Sequence, residues 1–203
     1  MMQNCASKAI LKRLPMYIEY LYSLKDTKHT SATSIAASLN LGDVQVRKDL
    51  ASVSMGGKPR VGYIREELIK NIEDYMGYNL STKAALVGMG KLGKALFNYP
   101  GFKDFGIKIV GAFDIYQSGD DILSIDSFEE FTRDNGIEIG ILTIPKESAQ
   151  EICDLMVKSN IKAIWNFTST RLVVPNDVIV KNENIATSLS ILVKHMREMK
   201  DTE

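Results

Sequence analysis

The sequence predicts an α/β chain of two units: a small helical one ending in a glycine-rich hairpin, and a larger one with a doubly wound parallel sheet. Three observations carry this. Apolar residues recur at helical spacing through three segments before residue 54 and then meet Gly56-Gly57. Beyond Gly77-Tyr78-Asn79, apolar strand-like runs alternate with amphipathic helical stretches, the pattern of parallel βαβ units. Charge divides in the same way. Residues 1–70 hold eleven Lys and Arg against six Asp and Glu, although the 203 residues together balance at 25 against 25. That split points to a basic unit joined to an acidic one.

With 45% hydrophobic residues and five prolines, the composition excludes a disordered or fibrous chain. Lys8, Lys12 and Arg13 open the chain, but Pro15, Glu19 and Lys25 interrupt the apolar residues after them, so no signal-peptide core forms. No run is apolar enough to span a bilayer. A cytoplasmic protein with no membrane partner is expected. Cys5 and Cys153 lie far apart, without Cys-x-x-Cys spacing or a nearby His. Neither a disulfide framework nor a metal site is expected, and the thiols should be reduced.

In the first unit, Ile10, Leu14, Tyr17, Ile18 and Leu21 form the stripe of a helix over 9–24, with Pro15 either in its first turn or at a kink. A second helix spans Ser31 to Leu39 with Ser31 as N-cap, and Asn40-Leu41-Gly42 makes a turn. A third helix, capped by Asp43, puts Val46, Leu50 and Val53 on one face and Arg47 and Lys48 on the other. Residues 56–64 then read as a glycine-rich hairpin. Three helices and a hairpin in this order make a winged helix-turn-helix. Arg47 and Lys48 would face the major groove of double-stranded DNA, and Lys58 and Arg60 at the hairpin tip would meet phosphates or the minor groove. A solvated charged face, or a module used for protein contacts, explains the same pattern.

The second unit has strand candidates at 84–88, 107–114, 137–144 and 161–167, with helical stretches starting near Lys91, Ser127 and Lys146. Gly88-Met89-Gly90-Lys91-Leu92-Gly93 is a G-x-G-x-x-G between the first strand and a helix, the context that a dinucleotide fingerprint requires. Gly88 permits the turn, Gly90 lets backbone approach a pyrophosphate, and Gly93 allows close helix–strand packing. The helix N-terminus adds free N–H groups. Asp114 ends the next strand 21 residues after Gly93, the place of a ribose-binding acid. No Lys or Arg follows until Arg133, which favours NADH or NAD⁺ over their 2′-phosphorylated forms. Capping of the following turn is the competing role for Asp114.

Thr143, Ile144 and Pro145, and Asn166 with Phe167, end later strands at the same carboxyl edge. Their walls are mostly apolar, which disfavours the cationic oxidised nicotinamide relative to the neutral reduced one. Ile144, Pro145 and Phe167 as plain core is the other reading. An acid or base for hydride transfer is hard to find. The two histidines, His29 and His195, lie outside the sheet unit's strands, and Pro100-Gly101 breaks the helix that a Tyr99-x-x-x-Lys103 pair would need. A sensor is expected, not an enzyme. The alternative is an NAD-dependent oxidoreductase, or a CoA- or nucleotide-binding protein, whose winged helix mediates protein contacts.

Over nearly its whole length the sequence resembles the Rex family of bacterial redox-sensing transcriptional repressors. The resemblance rests on Arg13-Leu-Pro15, Val46-Arg-Lys-Asp-Leu50, Val61-Gly-Tyr63, Val87-Gly-Met-Gly-Lys-Leu-Gly93, Tyr99-Pro-Gly-Phe102, Phe113-Asp114, Thr143-Ile-Pro145, Ala149-Gln150 and Asn166-Phe167. It implies a homodimer that binds palindromic operator DNA and leaves it when NADH rises. It assigns Arg47, Lys48, Lys58 and Arg60 to DNA, Gly88, Gly90, Gly93, Asp114 and Pro145 to the cofactor, and Tyr99 to a switch beside the nicotinamide. The implied domains are 1–78 (winged helix), 79–183 (Rossmann) and 184–203, a helix exchanged between subunits whose stripe runs from Ile185 to Met199. Some relatives pair an Arg of the first helix with an Asp near the exchanged helix. This chain has Glu19 and Asn184 there, so that ion pair is absent.

Overall fold

In the computed structural model, the apolar stripe of the first helix becomes the centre of the first unit. The structure describes residues 9–58, 61–116, 119 and 121–200, and the chain divides into units Met1–Leu80 and Ser81–Glu203. Helix α1 (Ile10–Ser23) buries Ile10, Leu14, Tyr17, Ile18 and Leu21, and Pro15 sits inside it, past the first turn. Strand β1 (His29–Thr30) leads to α2 (Ala32–Ser38). The Ser31 hydroxyl accepts from the Ser34 N–H at 3.0 Å, and the Ser34 hydroxyl accepts from the Ser31 N–H at 3.1 Å, a reciprocal cap. Asn40, at φ 51°, turns the chain into α3 (Asp43–Val53).

Asp43 is not the cap that the sequence predicts. Gly42 is the N-cap of α3, and Asp43 is its first helical residue, with its carboxylate turned to Thr33 and Arg47 instead of to the helix N–H groups. After α3, Lys58 and Gly62 bond each other's backbone at 2.8 and 2.9 Å, closing a hairpin whose residues 59 and 60, Arg60 included, lie outside the described residues. Strand β2 (Tyr63–Ile64) pairs antiparallel with β1. A fourth helix, α4 (Arg65–Met76), was not anticipated. It buries only Leu68 and Ile72, which complete a core with Leu14, Ile18, Val46 and Leu50.

The second unit comprises β3 (Thr82–Val87), α5 (Lys91–Phe97), β4 (Ile107–Asp114), β5 (Leu123–Ser124), α6 (Phe128–Asn135), β6 (Ile139–Leu142), α7 (Ala149–Lys158), β7 (Ala163–Asn166), β8 (Ile179–Asn182) and α8 (Ile185–Lys200). Its six strands lie in the order β5-β4-β3-β6-β7-β8 and every pair is parallel. This is the Rossmann order, in which successive strands are added outward from β3 on one side and, after the switch, from β6 on the other. Val87 is level with Phe113 on one side and Leu142 on the other, so three strands end together.

The expected strands at 137–144 and 161–167 shorten to four residues each. Ile137 and Ile161 instead close the preceding helices, their N–H groups donating to Thr132 O and Met156 O. Phe128, Ile152 and Met156 of α6 and α7 pack one sheet face with Val87, Phe113 and Leu142. Leu96 and Phe97 with Trp165 and Phe167 border the other face around Ala84, Leu86 and Ile141. Helix α8 leaves its stripe bare: Leu189 is 60%, Leu192 63% and Met199 74% exposed.

Candidate functional site

At the β3/β6 switch the glycine loop is held from below. Gly88 takes φ +104°, and a Cβ there would lie 2.6 Å from Thr143 O and 2.7 Å from Ile144 Cγ2. The Thr143 hydroxyl donates to Gly88 O at 2.7 Å, and its N–H donates to Val87 O at 2.9 Å. A Cβ on Gly93 would fall 1.8 Å from Gly88 O, so α5 packs onto the turn only without a side chain. On the opposite side of the loop, a Cβ on Gly90 would meet nothing within 4 Å. That asymmetry, backbone packed beneath and open space above, is what a ligand lying against main chain requires.

Asp114 stands beside this loop. Its Oδ2 accepts from the Met89 N–H at 2.6 Å and its Oδ1 from the Tyr116 N–H at 2.8 Å. The carboxylate therefore touches the fingerprint and also caps the turn after β4, so both anticipated roles have a geometric basis. Met89 is buried, while Lys91 and Leu92 are exposed on the first turn of α5. Ile144 is buried two residues past the end of β6 and Pro145 is exposed one residue on. These groups suit a dinucleotide: bare backbone for the pyrophosphate and a carboxylate for a ribose diol.

Asn166 is fully buried and its amide is committed. Nδ2 donates to Thr170 O and Asn182 Oδ1, and Oδ1 accepts from the Thr168 N–H and hydroxyl. The side chain organises the loop after β7. Phe167 meets Trp165 edge-on at 4.4 Å, Trp165 meets Phe102 at 5.9 Å, and Phe102 meets Tyr99 at 5.1 Å. Tyr99, 57% exposed, is thus joined to Phe167 by a chain of rings. The sequence does not single out Trp165, one apolar residue in an apolar strand. Its indole N–H donates to Glu183 at 3.2 Å.

In the first unit, the buried face of α3 carries Asp49. Arg13 donates to it twice, at 2.6 and 2.9 Å, Tyr17 at 2.7 Å and Gln45 at 2.8 Å. Burial pushes the Asp49 carboxyl up, yet the bonds from Arg13, Tyr17 and Gln45 outweigh it and hold it below the ordinary carboxylate range. Burial, and then the bond to Asp49, push the Tyr17 phenol up to about 12. This network locks α3 onto α1.

On the outer face, Arg47 and Lys48 are exposed. Arg47 shares with Lys58 a cleft of about 460 Å³ between α2, α3 and the hairpin, lined also by Thr33, Gly57 and Tyr63. Arg47 is not loose there. Its Nε–H donates to Asp43 at 2.8 Å and an Nη–H to Thr33 at 3.3 Å. The Thr33 bond, and then Arg47, hold the Asp43 carboxyl below its ordinary value. Among the described residues no group of three or more His, Cys, Asp or Glu could hold a metal ion, and no helix is long and apolar enough to cross a membrane.

A winged helix-turn-helix carried on a dinucleotide-type Rossmann unit defines a class, the DNA-binding regulators with a nucleotide sensor in the same chain. Residues 6–51 match a family described as putative DNA-binding protein N-terminus, and residues 79–170 one described as CoA binding domain. The redox-sensing transcriptional repressor Rex of Bacteroides fragilis is 38% identical over 195 residues, covering 92% of this chain and 89% of that protein. The Rex of Treponema denticola is 39% identical, covering 94% and 95%. Among solved structures, RSP in complex with β-NAD⁺ and operator DNA aligns with a TM-score of 0.89 at 34% identity, over 98% of this chain and 95% of that one. RSP in complex with β-NADH aligns at 0.85 and 33%, over 98% and 97%. This chain belongs to the Rex family of redox-sensing transcriptional repressors, which are regulators and not enzymes.

Proposed function

We propose that the chain acts in the cytoplasm as a homodimeric repressor that binds palindromic operator DNA and releases it when NADH occupies the Rossmann unit. The observation that carries this is the Asp114 carboxylate set 2.6 Å from the Met89 N–H, next to Gly90, where the glycine loop is open. NADH, when bound, supplies the redox signal. Gly88, Met89, Gly90, Lys91, Leu92 and Gly93 would hold its pyrophosphate side, and Asp114 the ribose. Thr143, Ile144, Pro145, Asn166, Phe167 and Tyr99 would border the nicotinamide end, with Asn166 acting through the loop that its amide fixes. Arg47, Lys48, Lys58 and Arg60 would meet DNA.

RSP is described both with β-NAD⁺ together with operator DNA and with β-NADH, which supports the same ligands here. The bare apolar stripe of α8 supports an exchanged dimer helix spanning 184–203, after a winged helix over 1–78 and a Rossmann domain over 79–183. Correct half-site spacing demands one relative orientation of the two winged helices, so a modest rotation between them on NADH binding weakens the complex. A coupling of about 1–3 kcal/mol changes affinity about 5- to 150-fold, and DNA must weaken NADH binding equally. Glu19 and Asn184 leave the coupling to contacts other than an Arg–Asp pair. Asp114 tests the cofactor half: Asp114→Ala should bind DNA normally without nucleotide and respond poorly to NADH. A full response would remove the ribose assignment.

A further inference from the structure

The recognition helix carries a negative charge of its own where DNA phosphates would arrive. Asp43, the first residue of α3, pairs with Arg47 one turn on, Nε to Oδ2 at 2.8 Å. Thr33 of α2 closes a triangle, donating its hydroxyl to Asp43 Oδ1 at 2.8 Å and accepting from Arg47 Nη2 at 3.3 Å. Each carboxylate oxygen has a different donor, so the orientation of both charged groups is set.

Two ordinary explanations fail on sign or size. The side chains of Arg47 and Asp43 are 63% and 39% exposed, and exposed pairs at this spacing add little to folding stability. A carboxylate in a DNA-binding face also opposes association with any duplex. What the triangle does achieve is geometric. It occupies the Nε edge of the guanidinium and leaves the Nη1 protons and the second Nη2 proton free, the end-on pair suited to a guanine O6 and N7. It also lowers the net pull of Arg47 on phosphates, which are the same in every sequence.

We propose that Asp43, held by Thr33, is a specificity-determining residue for DNA reading: it presents Arg47 to a base edge and withholds it from the phosphates of non-cognate DNA. This rests on the DNA-binding reading above. The test uses the full chain, a duplex that the native protein enriches from a randomised pool, and a base-shuffled counterpart, with both affinities measured by fluorescence anisotropy at one salt concentration. Asp43→Asn should tighten binding to the shuffled duplex without a matching gain on the enriched one, so that the preference falls about tenfold. Thr33→Val, which keeps the charge and the side-chain shape, should lower the preference by a smaller factor. In an Arg47→Ala background, Asp43→Asn should shift both duplexes by the same factor. Equal shifts on both duplexes with Arg47 present would reduce Asp43 to a bulk charge and overturn the inference, as would an unchanged preference. Failure of the native chain to enrich any duplex would instead remove the DNA reading, and this inference with it.

Discussion

The two units solve opposite problems with opposite materials. Around the glycine loop, the candidate site is built from main chain and from absent side chains: a Cβ on Gly93 would sit 1.8 Å from Gly88 O, whereas one on Gly90 would touch nothing. On α3, the candidate surface is built from charged side chains held by other side chains, Asp49 by Arg13, Tyr17 and Gln45 inside, and Arg47 by Asp43 and Thr33 outside. A site of the first kind fails abruptly when an atom is added. One of the second kind degrades in steps, because each bond is replaceable by water except where it is buried.

Gly93→Ala should therefore be the most damaging single change. The added methyl must displace backbone, at a cost of about 3 kcal/mol or more, and NADH binding should vanish with it. Urea unfolding and a nucleotide titration check both, and a native midpoint would break the contrast between the units. Asp49→Ala comes next, at about 2–4 kcal/mol of unfolding free energy, since it strands the Arg13 guanidinium beside the core. Arg13 is 21% exposed, which lets water soften that loss.

Asp49 also predicts a pH dependence. Its carboxyl titrates lower when folded, so its stabilisation is complete above its unfolded pKa of about 3.9 and is lost as pH falls through the folded value. The urea midpoint of the native chain should drop below about pH 4, and Asp49→Asn should flatten that drop. Tyr17 mirrors this at the alkaline end, its contribution fading as pH rises from about 10 in the unfolded chain towards its folded value of about 12.

Asp114→Ala should weaken NADH binding about ten- to a hundredfold by removing charge-assisted bonds, read by titration of intrinsic fluorescence. The smallest effect belongs to Lys58→Ala, which should reduce the salt slope of DNA binding by about one unit per subunit. An unchanged slope would move the phosphate contact elsewhere.

Much of this was legible in the sequence because the strongest signals were local. The G-x-G-x-x-G, the strand Ile107–Asp114 and the Ser31 cap depend on residues close in the chain. What escaped notice is set by distant partners. Helix α4 shows only Leu68 and Ile72 to the core amid charged neighbours, a weak stripe. The two-residue strand β5 and the polar β8 exist because β4 and β7 offer them edges. Asp49 has no role that the local pattern reveals, since its partners Arg13 and Tyr17 lie 36 and 32 residues away. Asp43 suited a cap by residue type, but Gly42 took that place and freed its carboxylate for Arg47.

Of the two cysteines, Cys5 lies outside the described residues. Cys153 is buried, and burial, with Asp154 beside it, pushes its thiol up to about 11, so it is a poor nucleophile at neutral pH. The most direct test is fluorescence anisotropy of an enriched duplex bound by the full chain at fixed salt, titrated separately with NADH and NAD⁺. The account predicts release by NADH at concentrations where NAD⁺ leaves the complex intact, and a lost response in Asp114→Ala. Binding indifferent to both nucleotides, or released equally by each, would contradict it.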